Sequence, residues 1–211
     1  HRGQVFTQLL LDDEINRTSP KTQSALLVAM EERQVSIDGQ STPLPEPFFV
    51  IATQNPMHQS GTYPLPESQL DRFLMQLSLG FPDRSVERQL FEGRNPRAAL
   101  QQITPQVTLA QWFALQARVT AVQAAGSVLD YVQRLVDYTR YSGEFQWGLS
   151  PRAALGLMQA ARAWALLQHR QFIVPEDIQA VFGPVAAHRL RYQMRGGQQA
   201  ADPVRLVLDK V

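Results

Sequence analysis

The chain has 211 residues, 44% of them hydrophobic and 18% charged, with a formal net charge of +1. That is enough apolar material for one large domain or two small ones, too little charge for a disordered chain, and no electrostatic footprint for nucleic acid. The absence of cysteine excludes disulfides, thiolate zinc sites and cysteine nucleophiles and fits a cytoplasmic protein. No uninterrupted apolar run reaches the roughly 18 residues that span a bilayer. The chain opens on His1-Arg2-Gly3 rather than methionine, so a signal peptide cannot be judged.

In chain order, Val5 to Leu11 is a short apolar run that breaks into Asp12-Asp13-Glu14. It predicts a strand buried on both faces, as in a parallel sheet. Ser19-Pro20 reads as an N-cap and first helical residue. Ala25, Leu26, Ala29 and Met30 then mark the apolar side of a helix ending near Arg33. Val35-Ser36-Ile37 alternates and Asp38-Gly39 follows, which is a hairpin signal. Pro43, Pro45 and Pro47 limit the returning arm to an edge. Phe48 to Ala52 is a second buried-strand candidate, ending in Thr53-Gln54-Asn55-Pro56. Glu67 to Arg72 predicts one or two helical turns, Phe73 to Leu79 a third strand, and Pro82 the start of a helix through Val86, Leu90 and Phe91.

Around Asn95-Pro96 the character changes. Beyond Pro105 the apolar spacing is helical, predicting helices near 109–122, 127–141, 151–169 and 175–191. Gly196-Gly197 marks a break, and Val204 to Leu208 a short strand or helix. The predicted organisation is an α/β part over about 1–95, an all-helical part over about 105–192 and a tail over 193–211.

Four constellations can carry chemistry. Asp12-Asp13-Glu14 follow a buried strand, where open α/β sheets bind ligands; one acid can hold Mg²⁺ and its neighbour can polarise a water, or all three are turn residues. Asn55, at the tip of the next strand, can orient water or contact a phosphate, or simply make a turn before Pro56. Arg72, in Leu70-Asp71-Arg72-Phe73, offers a fixed fork of donors for phosphate charge, or makes an ordinary surface ion pair. Arg152 follows the Ser150-Pro151 cap and sits in a first helical turn, where the dipole disfavours a cation. Such a charge points to an anionic partner or is tolerated at small cost.

The order and types of these residues resemble the MoxR family of AAA+ ATPases. Gln8 to Met30 is similar to that family's Walker B segment, and Glu32 to Val35 with Pro47 to Pro56 to its hairpin and sensor 1 strand. Gly61 to Glu67 and Gln69 to Leu74 are similar to its arginine-finger region, and Leu149 to Ala153 to its sensor 2 helix start. The resemblance is dense over roughly 1–92 and looser to about 192. It implies part of an α/β P-loop NTPase core with a parallel sheet and flanking helices, followed by an all-helical lid. It also implies roles: Asp13 assists Mg²⁺, Glu14 orients the attacking water, Asn55 is sensor 1 and Arg152 is sensor 2. Arg72 is then the finger acting on a neighbour's nucleotide, with Arg17 as competitor. The cofactors implied are ATP and Mg²⁺.

Departures are also visible. No G-x-x-x-x-G-K-[ST] loop occurs, so the expectation is a truncated core that, as 211 residues alone, binds ATP poorly and does not hydrolyse it. A sheet edge then needs covering by upstream residues, another chain or a swapped partner. Asp12 replaces the family's usual small apolar residue and either adds charge near the metal or faces solvent. His58 is given no role. The leading functional expectation is an ATP-hydrolysing, chaperone-like ring motor, a hexamer by family, acting on client proteins that include von Willebrand factor A domains. A DNA motor is the weaker alternative, because Ser36, Gln40 and Ser41 flank the hairpin tip where basic residues are expected. A non-catalytic scaffold is the other alternative, supported by the missing loop. No membrane partner is expected.

Overall fold

A computed structural model describes residues 4–37, 39–55, 61–93, 100, 102–193 and 202–211. The chain divides into two compact units, one up to Phe73 and one from Leu74 onward.

In the first unit, β1 (Leu9–Asp12) pairs in parallel with β4 (Phe49–Ala52), with Asp12 opposite Ala52. Between them lie a 3-10 turn (Ile15–Arg17), α1 (Pro20–Glu32) and the hairpin β2 (Gln34–Ile37) and β3 (Gln40–Pro43); α2 (Glu67–Leu70) follows β4. The cap of α1 is the predicted one: Ser19 Oγ accepts from the Thr22 N–H at 3.3 Å, and Pro20 opens the helix. Ile37 pairs with Gln40, so a two-residue turn joins β2 and β3. Its second residue, Gly39, has φ of 79°, the left-handed region a tight hairpin requires. Asp38, Pro56 and His58 lie outside the described residues.

The expectation of strands buried on both faces fails. Leu9, Leu11, Phe49 and Ile51 are all exposed. Leu10 and Val50, on the other face, pack with Ala29, Leu44 and Phe48. The reason is geometric: successive strand residues alternate faces, and the described residues of this unit cover only one of them. Val5 and Phe6 join the same small cluster, and the strand begins later than predicted, at Leu9.

The second unit is helical: α3 (Arg84–Phe91), α4 (Leu109–Ala121), α5 (Gly126–Tyr141), α6 (Pro151–Leu167), α7 (Pro175–Ala186) and α8 (Pro203–Lys210). One cluster from α5, α6 and α7 forms its core, with Leu135, Leu157, Ile178 and Phe182 fully buried, and Val207 of α8 joins it. The segment 204–208 is therefore helical and packed. Gly196 and Gly197 lie outside the described residues. Helix α7 ends at Ala186, short of the predicted 191, because β6 (Arg191–Tyr192) pairs with β5 (Phe145–Trp147) and the Phe145 and Tyr192 rings stack at 5.4 Å.

The third predicted strand, Phe73 to Leu79, does not form. The Gln76 N–H instead bonds the Pro184 carbonyl at 2.9 Å, and Met75 packs on the helical core. A strand exists only where a neighbour accepts its hydrogen bonds, and this run meets a helix. For the same reason the compact units divide at Phe73, whereas the change of apolar spacing falls near Asn95. No helix among the described residues is long and apolar enough to cross a membrane.

Candidate functional site

The parallel register fixes the site. Because Asp12 is opposite Ala52, the chain leaves both strands at the same level, and Thr53 comes to lie beside Asp13. The Thr53 N–H bonds the Asp12 carbonyl at 3.0 Å, and the Thr53 carbonyl accepts from the Ile15 N–H at 3.0 Å. The Thr53 hydroxyl donates to Asp13 Oδ1 at 2.5 Å and accepts from the Glu14 N–H at 2.9 Å. Four consecutive residues, 12 to 15, are thus tied to one threonine.

Glu14 has φ 54° and ψ 53°, a left-handed conformation that costs a residue with a side chain on the order of 1 kcal/mol. Its backbone is held there from both sides. Its N–H is taken by Thr53, its carbonyl accepts from the Arg17 N–H at 2.7 Å, and the next residue, Ile15, is 1% exposed. The turn separates the two acids: Asp13 stays against the β4 end, while Glu14 Oε2 meets Arg17 Nε at 3.0 Å. Burial and the neighbouring Asp13 charge push the Asp12 carboxyl above its ordinary value. Asp12 itself is partly buried.

Beneath the turn, Gln23 of α1 is 2% exposed, and its Nε2 donates to the Ile15 carbonyl at 2.9 Å and the Tyr63 carbonyl at 3.0 Å. The Tyr63 N–H bonds the Asn16 carbonyl at 2.6 Å. Ile15, Leu27 and Leu65 form the small core on which the acid turn rests.

The other predicted residues fall as follows. Asn55 lies three residues beyond the end of β4, on the same side as the acid turn by its place in the chain. Arg72 does not join the acids. It donates to the Leu27 carbonyl at 3.1 Å and pairs with Glu31 at 2.6 Å, beside a groove of about 190 Å³ between α1 and α2. Arg152 belongs to the helical unit, as the second residue of α6, where Ser150 Oγ caps the Ala153 N–H at 3.0 Å as predicted. The residues the sequence reading missed are Thr53 and Gln23. Thr53 stood inside the segment singled out for its asparagine; its signal was the hydroxyl at the first position past a strand that runs parallel to the acidic one.

The donor set suits a hard divalent cation delivered with a nucleotide. Among the described residues no group of three or more His, Asp or Glu side chains gathers to hold a metal alone. Mg²⁺ is ordinarily held by one or two carboxylates with waters and substrate phosphates, and Asp13, with one oxygen tied by Thr53, fits that use.

The chain is similar to known proteins along nearly its whole length. Residues 1–75 match the ATPase family associated with various cellular activities, and residues 137–207 match the AAA lid domain. The chain is 42% identical over 99% of its length to the Bacillus subtilis protein YeaC, covering 66% of that protein. It is 41% identical over 89% of its length to chaperone MoxR1 of Mycobacterium tuberculosis, covering 52% of it. It is 32% identical over 94% of its length to the protein MoxR of Methylorubrum extorquens, covering 64% of it. The chain thus spans between half and two thirds of the curated relatives it matches. A solved structure of an ATPase candidate from Cytophaga hutchinsonii superposes with a TM-score of 0.89 at 33% identity, covering all of this chain and 68% of that one. With a parallel strand pair whose first strand runs into an acidic turn, a helical lid and these relatives, the chain belongs to the MoxR type of AAA+ ATPases.

Proposed function

We propose that this chain supplies the hydrolytic residues and the lid of an ATP-driven, chaperone-like motor that works as a ring, a hexamer by family expectation, on partner proteins in the cytoplasm. The observation that carries the reading is the acid turn: two carboxylates on adjacent residues, one bound to the β4 end and the other turned away by a left-handed backbone. Phosphoryl transfer to water needs positioning and charge neutralisation more than covalent chemistry, and two acids that face different ways can divide those tasks.

In this reading Asp13 holds the Mg²⁺ of MgATP, which when bound neutralises charge on the phosphate oxygens. Glu14 accepts a hydrogen bond from the attacking water and orients it. Asn55 holds that water or the terminal phosphate from the neighbouring strand end. Arg152 reads the phosphate from the lid. Arg72 is the arginine offered to a neighbour's nucleotide, with Arg17 as the competing residue. Each already has an acidic partner, Glu31 for Arg72 and Glu14 for Arg17. Both pairs are partly exposed and therefore cheap to exchange for phosphate. A client of protein type, with von Willebrand factor A domains as the family expectation, is favoured over nucleic acid because the hairpin 34–43 carries no basic residue.

The test is MgATP hydrolysis by the full-length protein across a range of protein concentrations, beside Glu14→Gln. Specific activity should rise with concentration and fall in Glu14→Gln by roughly 100-fold or more, the usual contribution of a positioned acid–base group. Hydrolysis that is independent of concentration removes the ring and the trans-acting arginine from the reading. Equal activity in Glu14→Gln removes the assigned water-orienting residue.

A further inference from the structure

We infer that Thr53 is the positioning residue for both acids of the nucleotide site, its single hydroxyl setting the Asp13 carboxylate and the left-handed Glu14 backbone at once. The inference rests on the reading of Asp13 and Glu14 as the hydrolytic pair, and it goes beyond it by placing control of their geometry on the opposite strand.

The argument starts from the hydroxyl's inventory: one hydrogen to give and two lone pairs to receive. An N–H can only donate, so the Glu14 amide at 2.9 Å must be the donor to Thr53 Oγ1. The one hydroxyl hydrogen is then committed to Asp13 Oδ1 at 2.5 Å. Donor and acceptor directions are both assigned, and the hydroxyl rotor has no second arrangement that satisfies the two neighbours. The β-branched side chain adds stiffness at χ1. Tying Oδ1 also leaves Oδ2 as the Asp13 oxygen without this bond, so the two oxygens of that carboxylate are no longer equivalent. The two remaining Thr53 bonds, from its N–H to the Asp12 carbonyl and from the Ile15 N–H to its carbonyl, are made by backbone and survive a change of side chain. Substitution at Thr53 therefore separates the hydroxyl's role from the pairing of the strands.

The experiment compares Thr53→Val and Thr53→Ser with wild type and Glu14→Gln in the full-length protein. It reads ATP turnover against Mg²⁺ concentration and, without nucleotide, hydrogen exchange of the Glu14 and Ile15 amides. Removing a group that orients a metal or catalytic ligand ordinarily costs about 10–100-fold. Thr53→Val should lower kcat and raise the Mg²⁺ needed for half-maximal rate by about that range, with little change in KM for ATP, and Thr53→Ser should restore both. Glu14 amide exchange should quicken in Thr53→Val and not in Thr53→Ser, while Ile15 stays protected in both. A merely structural role would quicken both amides together. Wild-type kcat, Mg²⁺ dependence and Glu14 protection in Thr53→Val would overturn the inference. If Thr53→Val fails to fold, Thr53→Ala carries the same comparison. If wild type and Glu14→Gln hydrolyse ATP equally, the hydrolytic reading fails, and the Glu14 exchange rates alone decide whether the hydroxyl sets this turn.

Discussion

The two units of the chain are held by different forces. The helical unit has one continuous apolar core, in which Leu135, Leu157, Ile178 and Phe182 are fully buried. Among its described residues the α/β unit has two small clusters, built on Ile15, Leu27 and Leu65 and on Ala29, Leu44 and Phe48, and leaves Leu9, Leu11, Phe49 and Ile51 exposed. What fixes its acid turn is a polar mesh around Thr53 and Gln23. Burial is non-directional, whereas hydrogen bonds set distances and angles. The turn that places two carboxylates relies on the second, and the core of the helical unit relies on the first.

The largest effects should come from breaking the continuous core. Leu157→Ala should cost about 3–5 kcal/mol, the range for truncating a fully buried leucine. All three tryptophans, Trp112, Trp147 and Trp164, lie in the helical unit, so denaturant unfolding followed by tryptophan fluorescence reads it alone. Leu27→Ala, in a smaller cluster with more room to collapse, should cost nearer 2 kcal/mol, measured by hydrogen exchange of the α1 amides. Equal costs in the two would dissolve the contrast. Next comes the polar mesh: Gln23→Leu keeps the volume but removes the donor to the Tyr63 carbonyl, while the Ile15 carbonyl keeps the Thr18 N–H and hydroxyl; it should cost about 2 kcal/mol and quicken exchange across residues 14–17.

Local chemistry was legible in the sequence and pairing was not. The Ser19 and Ser150 caps, the hairpin with Gly39 and the helices over 109–121, 126–141 and 151–167 follow from signals a few residues long. The acids at the end of β1 were legible because a strand boundary is written in its own residues. The failures all needed a distant partner. Phe73 to Leu79 reads as a strand until Pro184 takes the Gln76 amide. Thr53 is silent until β4 is set beside β1, because its hydroxyl partner lies 40 residues away. The partner of Arg72 on α1, the Leu27 carbonyl, is 45 residues away, so residue type gave its ability to grip an anion and not which group it grips. The exposed face of β1 and β4 was misread because an apolar run shows what a strand is able to bury, and the cover must come from elsewhere.

A buried charge in the helical unit tests whether its stability is wholly apolar. Asp177 is 1% exposed, pairs through both oxygens with Arg170 and accepts from the Val174 N–H at 2.9 Å. Burial acts to raise its carboxyl, but the Arg170 hydrogen bonds, the Val174 N–H and the Arg170 charge outweigh it, so the net shift is downward. A carboxyl lowered on folding contributes stability that is present above its unfolded value and is lost as pH falls through the folded one. Asp177→Asn should therefore cost about 2 kcal/mol at pH 7, and the gap to wild type should close on acidification below about pH 4. A gap that is constant with pH would mean the carboxylate charge contributes nothing there.

The smallest expected difference is also the one that compares the units on the same device. Ser150 caps α6 at 3.0 Å, with the Ala153 it serves 0% exposed. Ser19 caps α1 at 3.3 Å in an exposed position and shares its hydroxyl with Thr22 Oγ1 at 3.0 Å. Replacement of a capping serine by alanine costs about 0.5–2 kcal/mol. Water can replace an exposed cap more readily than a part-buried one, so Ser150→Ala should fall near 1 kcal/mol and Ser19→Ala near 0.5 kcal/mol. Tryptophan fluorescence reads the first and amide exchange at Thr22 and Gln23 the second. If Ser19→Ala costs as much as Ser150→Ala, the start of α1 carries more of its unit than packing indicates, and Gln23, one residue beyond the capped amide, is the route by which a surface cap would reach the acid turn.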